Sequence, residues 1–294
     1  MPVNLPPALR GSRRLQMELF RDGVPEIAML GRYNLRHAEI PLKEHTHGDR
    51  IEICYLVKGR QTYQVDGRNY HLKGGDVFVA FPNEVHGSAG KPEEKGVLYW
   101  IMLRRTERPL FGLEPKQADL LWHSLCALPA RHFPGTRKMH DHLNALTTHF
   151  HGPRIPLRSA FMISEALAFM LEVLCCAGHE ERPGSAARPL GSVFTYMRDH
   201  LEEPLSVPDL AAQAGLSTPR FKARFKEETG VPPGEYLLRL KIDEANKRLA
   251  SGRQSVTEIA HGLGFSSSQY FATVYKRFTG NTPGTAFGMA VKIK

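Results

Sequence analysis

A chain of 294 residues with 41% hydrophobic and 23% charged residues can bury two separate cores, which excludes a disordered or fibrous protein. Its 4 cysteines include no Cys-x-x-Cys pair, so neither a disulfide scaffold nor a zinc site of that pattern is expected. The net charge of +9 favours a polyanionic partner, but residues 190–294 hold only 14 Lys/Arg against 10 Asp/Glu, so bulk charge points to no one region.

Met1-Pro-Val-Asn-Leu-Pro-Pro lacks the apolar core of a signal peptide, and no run approaches membrane-spanning length on this reading. Adjacent Cys175 and Cys176 fall in an apolar helical stretch and are expected as buried thiols. Together these features give a reduced, cytoplasmic protein with no membrane partner.

From about residue 33 to 105 the chain reads as short strands. Residues 51–57 form a strand ended by Gly59, and 61–65 a second, closed by the hairpin signal Asp66-Gly67. Strands over 69–72, 77–81 and 97–103 follow, punctuated by Gly74-Gly75 and Pro82. Many short strands with Gly/Pro turns indicate a sandwich or small barrel. After residue 114 the period becomes helical, over 115–128, about 137–151 and 157–178. The last of these is strongly apolar, and either packs on the sheet or forms a dimer interface. Residues 179–190, rich in Pro, Gly, Ala and charge, read as a linker.

The last third carries a near-repeat about fifty residues apart. Val207-Pro-Asp-Leu-Ala-Ala-Gln-Ala-Gly-Leu-Ser217 is matched by Val256-Thr-Glu-Ile-Ala-His-Gly-Leu-Gly-Phe-Ser266. Ala211 and Gly215 correspond to Ala260 and Gly264. A helix-turn-helix needs such a small residue where its helices cross and a glycine at its turn. Ser217 is placed to cap a second helix that presents Pro219, Arg220, Lys222 and Ala223, with Phe221 and Phe225 inward. The second copy presents Ser268, Gln269, Ala272 and Thr273, with Lys276 near its end and Phe271, Val274 and Phe278 inward. Residues 234–250 form a connector helix of about 25 Å. That length sets two recognition helices near the roughly 34 Å of one DNA turn, so the unit is read as gripping two successive major grooves of double-stranded DNA.

Residues 191–290 resemble the AraC/XylS family of bacterial transcription regulators. Gly264-Phe265-Ser266-Ser267, Phe271, Tyr275-Lys276 and Thr279-Gly280-Asn-Thr-Pro283 follow the family's signature. Where the family often has Arg in each recognition helix, this chain has Ala223 and Thr273, which removes two expected guanine readers. In the strand-rich half, His45, His47 and Glu52 (His-x-His-x4-Glu), then Gly59 and His86, resemble the cupin barrel, where such groups converge on a divalent metal. Imidazoles two apart on one strand share a face, as chelation needs. Glu39 stands where that motif has Gly, and Pro82-Asn83-Glu84-Val85-His86 fits the second motif loosely. Three readings of these groups stay open: a metal site, a hydrogen-bonding effector site, or a satisfied polar interior. Tyr55, Tyr63, Phe78, Phe81 and Trp100 are the candidate pocket walls, suited to a sugar or similar molecule.

The expected fold is α+β in two domains. A cupin-like barrel over about 20–110 with helices over about 114–178 makes residues 1–178, and an all-α tandem helix-turn-helix makes residues 191–294. The resemblance implies a regulator that takes promoter DNA, a small-molecule effector and RNA polymerase as partners, and that forms a homodimer. A constitutive DNA binder with a mute barrel and a metal-dependent cupin enzyme are the alternatives.

Overall fold

The computed structural model describes residues 13–178 and 190–292. The linker read at 179–190 lies outside them except for its last position. The chain divides into two compact units, one of residues 1–36, 41–91 and 96–181 and one of residues 37–40, 92–95 and 182–294.

Strands β1 (Arg14–Met17), β2 (Ile27–Leu35), β3 (Glu39–Pro41), β4 (Ile51–Val65), β5 (Arg68–Lys73), β6 (Asp76–Ala80), β7 (His86–Gly87), β8 (Pro92–Glu93) and β9 (Gly96–Leu103) come first. Helix α1 (Pro115–Cys126), strand β10 (His132–Pro134), α2 (Arg137–His151) and α3 (Arg158–Ala177) follow. The main sheet runs β1-β2-β9-β4-β6-β10, with β5 and β7 also on β4, while β3 and β8 pair separately. Gly59 does not end a strand, as expected from sequence, but bends one. Its φ of 104° sits beside a register shift between Leu56 and Lys58, so β4 continues as a single bulged strand. The hairpin at Asp66-Gly67 has both residues at positive φ, 48° and 75°, which a two-residue turn of primed type requires.

Strand alternation divides the side chains between two cores. Ile51, Ile53 and Tyr55 of β4, Val77 and Val79 of β6, and Tyr99, Ile101 and Leu103 of β9 face the helices, meeting Trp122, Met139, Leu143, Phe169 and Met170. Cys54, Leu56, Tyr63, Val65, Leu72, Phe78, Ala80, Leu98 and Trp100 face the barrel interior. Each large apolar side chain so buried contributes roughly 1.5–3 kcal/mol.

Helix α3 corrects two expectations. It has 20 residues with a mean hydropathy of 1.9, so by length and composition one segment is apolar enough to cross a membrane. One stripe (Met162, Ala166, Phe169, Met170, Val173, Ala177) is buried against the sheet and α2. Cys175 lies off that stripe and is exposed, and Cys176 is only half-buried, so this pair is not a buried thiol pair.

The second unit contains α4 (Gly191–Asp199), α5 (Val207–Gln213), α6 (Thr218–Thr229), α7 (Pro233–Ser251), α8 (Val256–Gly262), α9 (Ser268–Thr279) and α10 (Pro283–Lys292). The sequence repeat becomes a repeat of local devices. Capping boxes Ser206/Asp209 and Ser255/Glu258 start α5 and α8. Gly215 and Gly264 make the turns at φ 64° and 66°. Gly230 and Gly280 close α6 and α9 in the left-handed conformation. Leu210, Ala211, Phe221, Phe225 and Leu237 share one core, and Ile242, Ala245, Leu249, Ile259, Ala260, Phe271 and Phe278 the other. Helix α7 thus contributes to both cores, and its 19 residues span about 28 Å. Buried Lys241 of α7 donates to the Glu203 carbonyl at 3.3 Å, and Arg248 pairs with Glu202 at 2.7 Å, tying the segment before α5 to the connector.

Candidate functional site

The polar groups of the barrel are assembled by three segments. Glu52 leaves β4 opposite Ala80 and Met102, on the interior face. His45 and His86 face each other across an antiparallel bridge, with amide-to-carbonyl distances of 3.0 and 2.9 Å. The His45–His86, His45–His47 and His47–His86 ring centroids are 4.4, 4.8 and 5.2 Å apart. Glu52 Oε2 lies 2.9 Å from His86 Nε2 and 3.5 Å from His47 Nε2. Burial alone would push the Glu52 carboxyl up, but the imidazoles of His47 and His86 beside it outweigh that and hold it at about 2. Burial lowers His45, whose Nδ1 is 2.9 Å from the Lys43 carbonyl. An Nδ1–H donated there leaves the Nε2 lone pair free.

One ligand atom from each of His45, His47, Glu52 and His86 lies within 4.8 Å of all the others. His47 Nε2 is buried with no hydrogen-bond partner. Three imidazole nitrogens and an ionised carboxylate are the donor set of a divalent transition metal, and an orphaned buried nitrogen is what such a site presents without its ion. The residues fit a metal.

The aromatic walls divide by strand parity. Tyr63 stacks on Phe78 at 4.4 Å, with its hydroxyl 3.5 Å from Cys54 Sγ, and Trp100 lies 4.5 Å from Tyr33; all share the face of Glu52. Trp100 fits because Gly31 opposite has no side chain: a Cβ there would fall 1.9 Å from its ring. Tyr55 and Phe81 are corrections. Tyr55 is one residue out of phase with Cys54, so it faces the helices and donates to the Thr136 carbonyl at 3.0 Å. Phe81, one residue past interior-facing Ala80, packs on the helical side beneath the Arg131 guanidinium at 5.0 Å. Neither lines the interior. Tyr33 and Tyr70 do border it, and sequence reading missed them because Tyr33 precedes the first strand expected and Tyr70 carries no motif.

In the second unit, Pro219, Arg220, Lys222 and Ala223 are exposed along α6, over buried Phe221 and Phe225. Along α9, Gln269, Thr273 and Lys276 are exposed, Ser268 and Ala272 half-exposed, and Phe271, Val274 and Phe278 buried. Tyr275 joins that core, its hydroxyl donating to Asn246 at 2.5 Å. Ser267 accepts the Tyr270 amide at 3.1 Å, whereas Ser217 stands at the cap position without a side-chain bond. Lys226, also exposed and the last of the alternating basic run Arg220, Lys222, Arg224 and Lys226 that the sequence presents, holds the same place from its cap as Lys276.

A sensor-type barrel joined to two helix-turn-helix units defines a ligand-binding transcription regulator. Two family models match, the AraC-like ligand binding domain over residues 33–110 and a helix-turn-helix domain over residues 210–288. The chain belongs to the AraC/XylS family of transcriptional regulators. It is 28% identical over 274 residues to the MmsAB operon regulatory protein of Pseudomonas aeruginosa, covering 90% of this chain and 82% of that protein. It is 26% identical over 254 residues to the HTH-type transcriptional activator RhaS of Pectobacterium atrosepticum, covering 84% and 88%. Among solved structures, the DNA-binding domain of AdpA in complex with a target DNA is 29% identical, covers 37% of this chain and 97% of its own, and superposes with a TM-score of 0.35.

Proposed function

We propose that the second unit binds double-stranded promoter DNA through two successive major grooves, and that a small molecule held in the barrel controls that binding. The carrying observation is the duplication of one helix-turn-helix, caps and turn glycines included, on either side of a shared connector helix. In this reading Pro219, Arg220, Lys222 and Ala223 meet one groove, and Ser268, Gln269, Ala272 and Thr273 the next. Lys276, with Lys226, meets the phosphate backbone. The output is transcription through RNA polymerase rather than catalysis.

His45, His47, Glu52, His86, Tyr63, Phe78 and Trp100 form the effector site. A divalent ion held by the three histidines and Glu52 would supply a Lewis-acidic anchor for an oxygen-bearing effector. Dimerisation uses the outer stripe of α3, where Leu157, Phe161, Leu171 and Cys175 recur on one exposed side. Selection of bound genomic fragments by the purified chain tests the DNA reading. A recurring site with two elements about one helical turn apart supports it. No enriched site, with or without metal and candidate metabolites, overturns it.

A further inference from the structure

Segment 81–86 touches all three histidines. His86 is its last residue and bridges His45 by two backbone hydrogen bonds. The Asn83 amide donates to the carbonyl of Gly48, the neighbour of His47, at 2.5 Å. His86 Nδ1 lies 3.4 Å from the Glu84 carbonyl. The segment turns sharply at Asn83, which takes a positive φ of 65°, the left-handed region that Asn adopts more readily than most non-glycine residues.

One side chain adds to these backbone bonds and to the pairing of His86 with Val65 of β4. Arg131, between α1 and β10, grips the Glu84 carboxylate with both Nη atoms, at 2.6 and 2.8 Å. Glu84 Oε2 also accepts the Phe81 amide at 2.9 Å, so a single carboxylate closes the turn and joins it to Arg131. The guanidinium lies over the rings of Phe81 and Tyr70, at 5.0 and 5.7 Å, and the Arg131 carbonyl accepts the Val79 amide at 2.8 Å. Arg131 is thereby fixed at its backbone and at both the face and the fork of its guanidinium. A bidentate pair braced by aromatic faces is a geometry that Lys cannot copy.

We propose that Arg131 is the positioning residue of the histidine site: through Glu84 it sets segment 81–86, and with it His86 and the Asn83–Gly48 bond beside His47, and it couples the site to the segment leading into α2. This rests on the reading of the barrel as the sensing site. Occupancy of the site by a ligand pulls on segment 81–86, and Arg131 carries that pull to β10 and the helices.

The test is hydrogen exchange of the full chain, with Co2+ as probe, for wild type, Arg131→Ala, Arg131→Lys and Glu84→Gln. In metal-free Arg131→Ala, the amides of His45, Asn83 and His86 are expected to lose protection, while those of Ile53 and Ile101 keep theirs. Arg131→Lys restores only part. Glu84→Gln, which keeps the shape and removes the charge, reproduces the loss should the alanine variant not fold. For Co2+, the variants are expected to bind 10- to 100-fold more weakly, the usual effect of removing a ligand's support, with a shifted visible absorption band. Unchanged protection at those three amides in both Arg131→Ala and Glu84→Gln overturns the proposal. Wild type that takes up no Co2+ overturns the metal reading alone, since the metal-free protection pattern still decides the role of Arg131.

Discussion

Gly215 and Gly264 occupy the same turn at nearly the same φ, yet their surroundings differ. A Cβ on Gly215 meets nothing within 4 Å, whereas one on Gly264 falls 3.1 Å from the Glu202 carbonyl and 3.2 Å from Lys241 Nζ. Gly215→Ala is therefore expected to cost only the left-handed backbone term, about 1–2 kcal/mol. Gly264→Ala should cost more, because backbone must also move. Equal losses in denaturant titrations of the two variants would contradict this. The recognition helices allow a second contrast. Gln269→Ala is expected to change preference at one base step by ~1–3 kcal/mol, while Lys276→Ala weakens binding to all sequences and lowers the salt slope by about one. A site library that shows uniform loss for both would displace α9 from the groove.

At the scale of elements, the interface between sheet and helices carries a measurable pH signature. Burial pushes Tyr55 and Tyr99 up to about 12, against an ordinary phenol value of 10.0. Between those values the folded state holds protons that the unfolded chain has released, so stability falls as pH rises through 10 to 12. For Tyr55, only 5% exposed, the loss amounts to about 3 kcal/mol. Tyr55→Phe is expected to be less stable at pH 8, where it lacks the bond to the Thr136 carbonyl, but to lose stability less steeply above pH 10. Parallel alkaline curves for the two proteins would sink this assignment. On the outer stripe of α3, Phe161→Glu and Leu171→Glu are expected to convert a dimer into a monomer in light scattering; wild type that is already monomeric removes that interface.

Much of this element pattern was legible. The Asp66-Gly67 turn, the helices after residue 114 and both copies of the DNA-reading unit follow from local signals: turn glycines, caps and apolar period. The ends of the sheet were not, because β1 and β10 are four- and three-residue strands, too short to carry a pattern, and their hydrogen bonds come from other segments, β2 and β6. Tyr55 and Phe81 were misplaced for another reason. Both were read as pocket walls because they are aromatic, whereas alternation from Cys54 and Ala80 points both outward. The role of Glu84 was hidden because its partner, Arg131, lies 47 residues away in a loop.

For the molecule as a whole, the charge of the two recognition surfaces is unequal. The exposed face of α6 carries Arg220, Lys222 and Lys226, and that of α9 carries Gln269, Thr273 and Lys276. The first unit should supply more of the salt-dependent affinity and the second more neutral readout. Because both flank one rigid connector, inserting about 5 base pairs between the two operator elements turns them to opposite faces of the duplex. Affinity should then fall to that of a single unit, and Lys276→Ala should have no further effect. Undiminished binding to the half-turn insertion would mean that the units engage DNA independently.

Strand β4 pairs with β9, β6, β5 and β7, and the hairpin at Asp66-Gly67 is its only covalent link to them. A chain severed at that turn would leave two interleaved pieces, each holding strands that only the other can complete. The sensing unit is in that sense divisible: the halves, expressed apart, should reassemble by complementation, and a substance that occupies the barrel would be reported by how readily they rejoin.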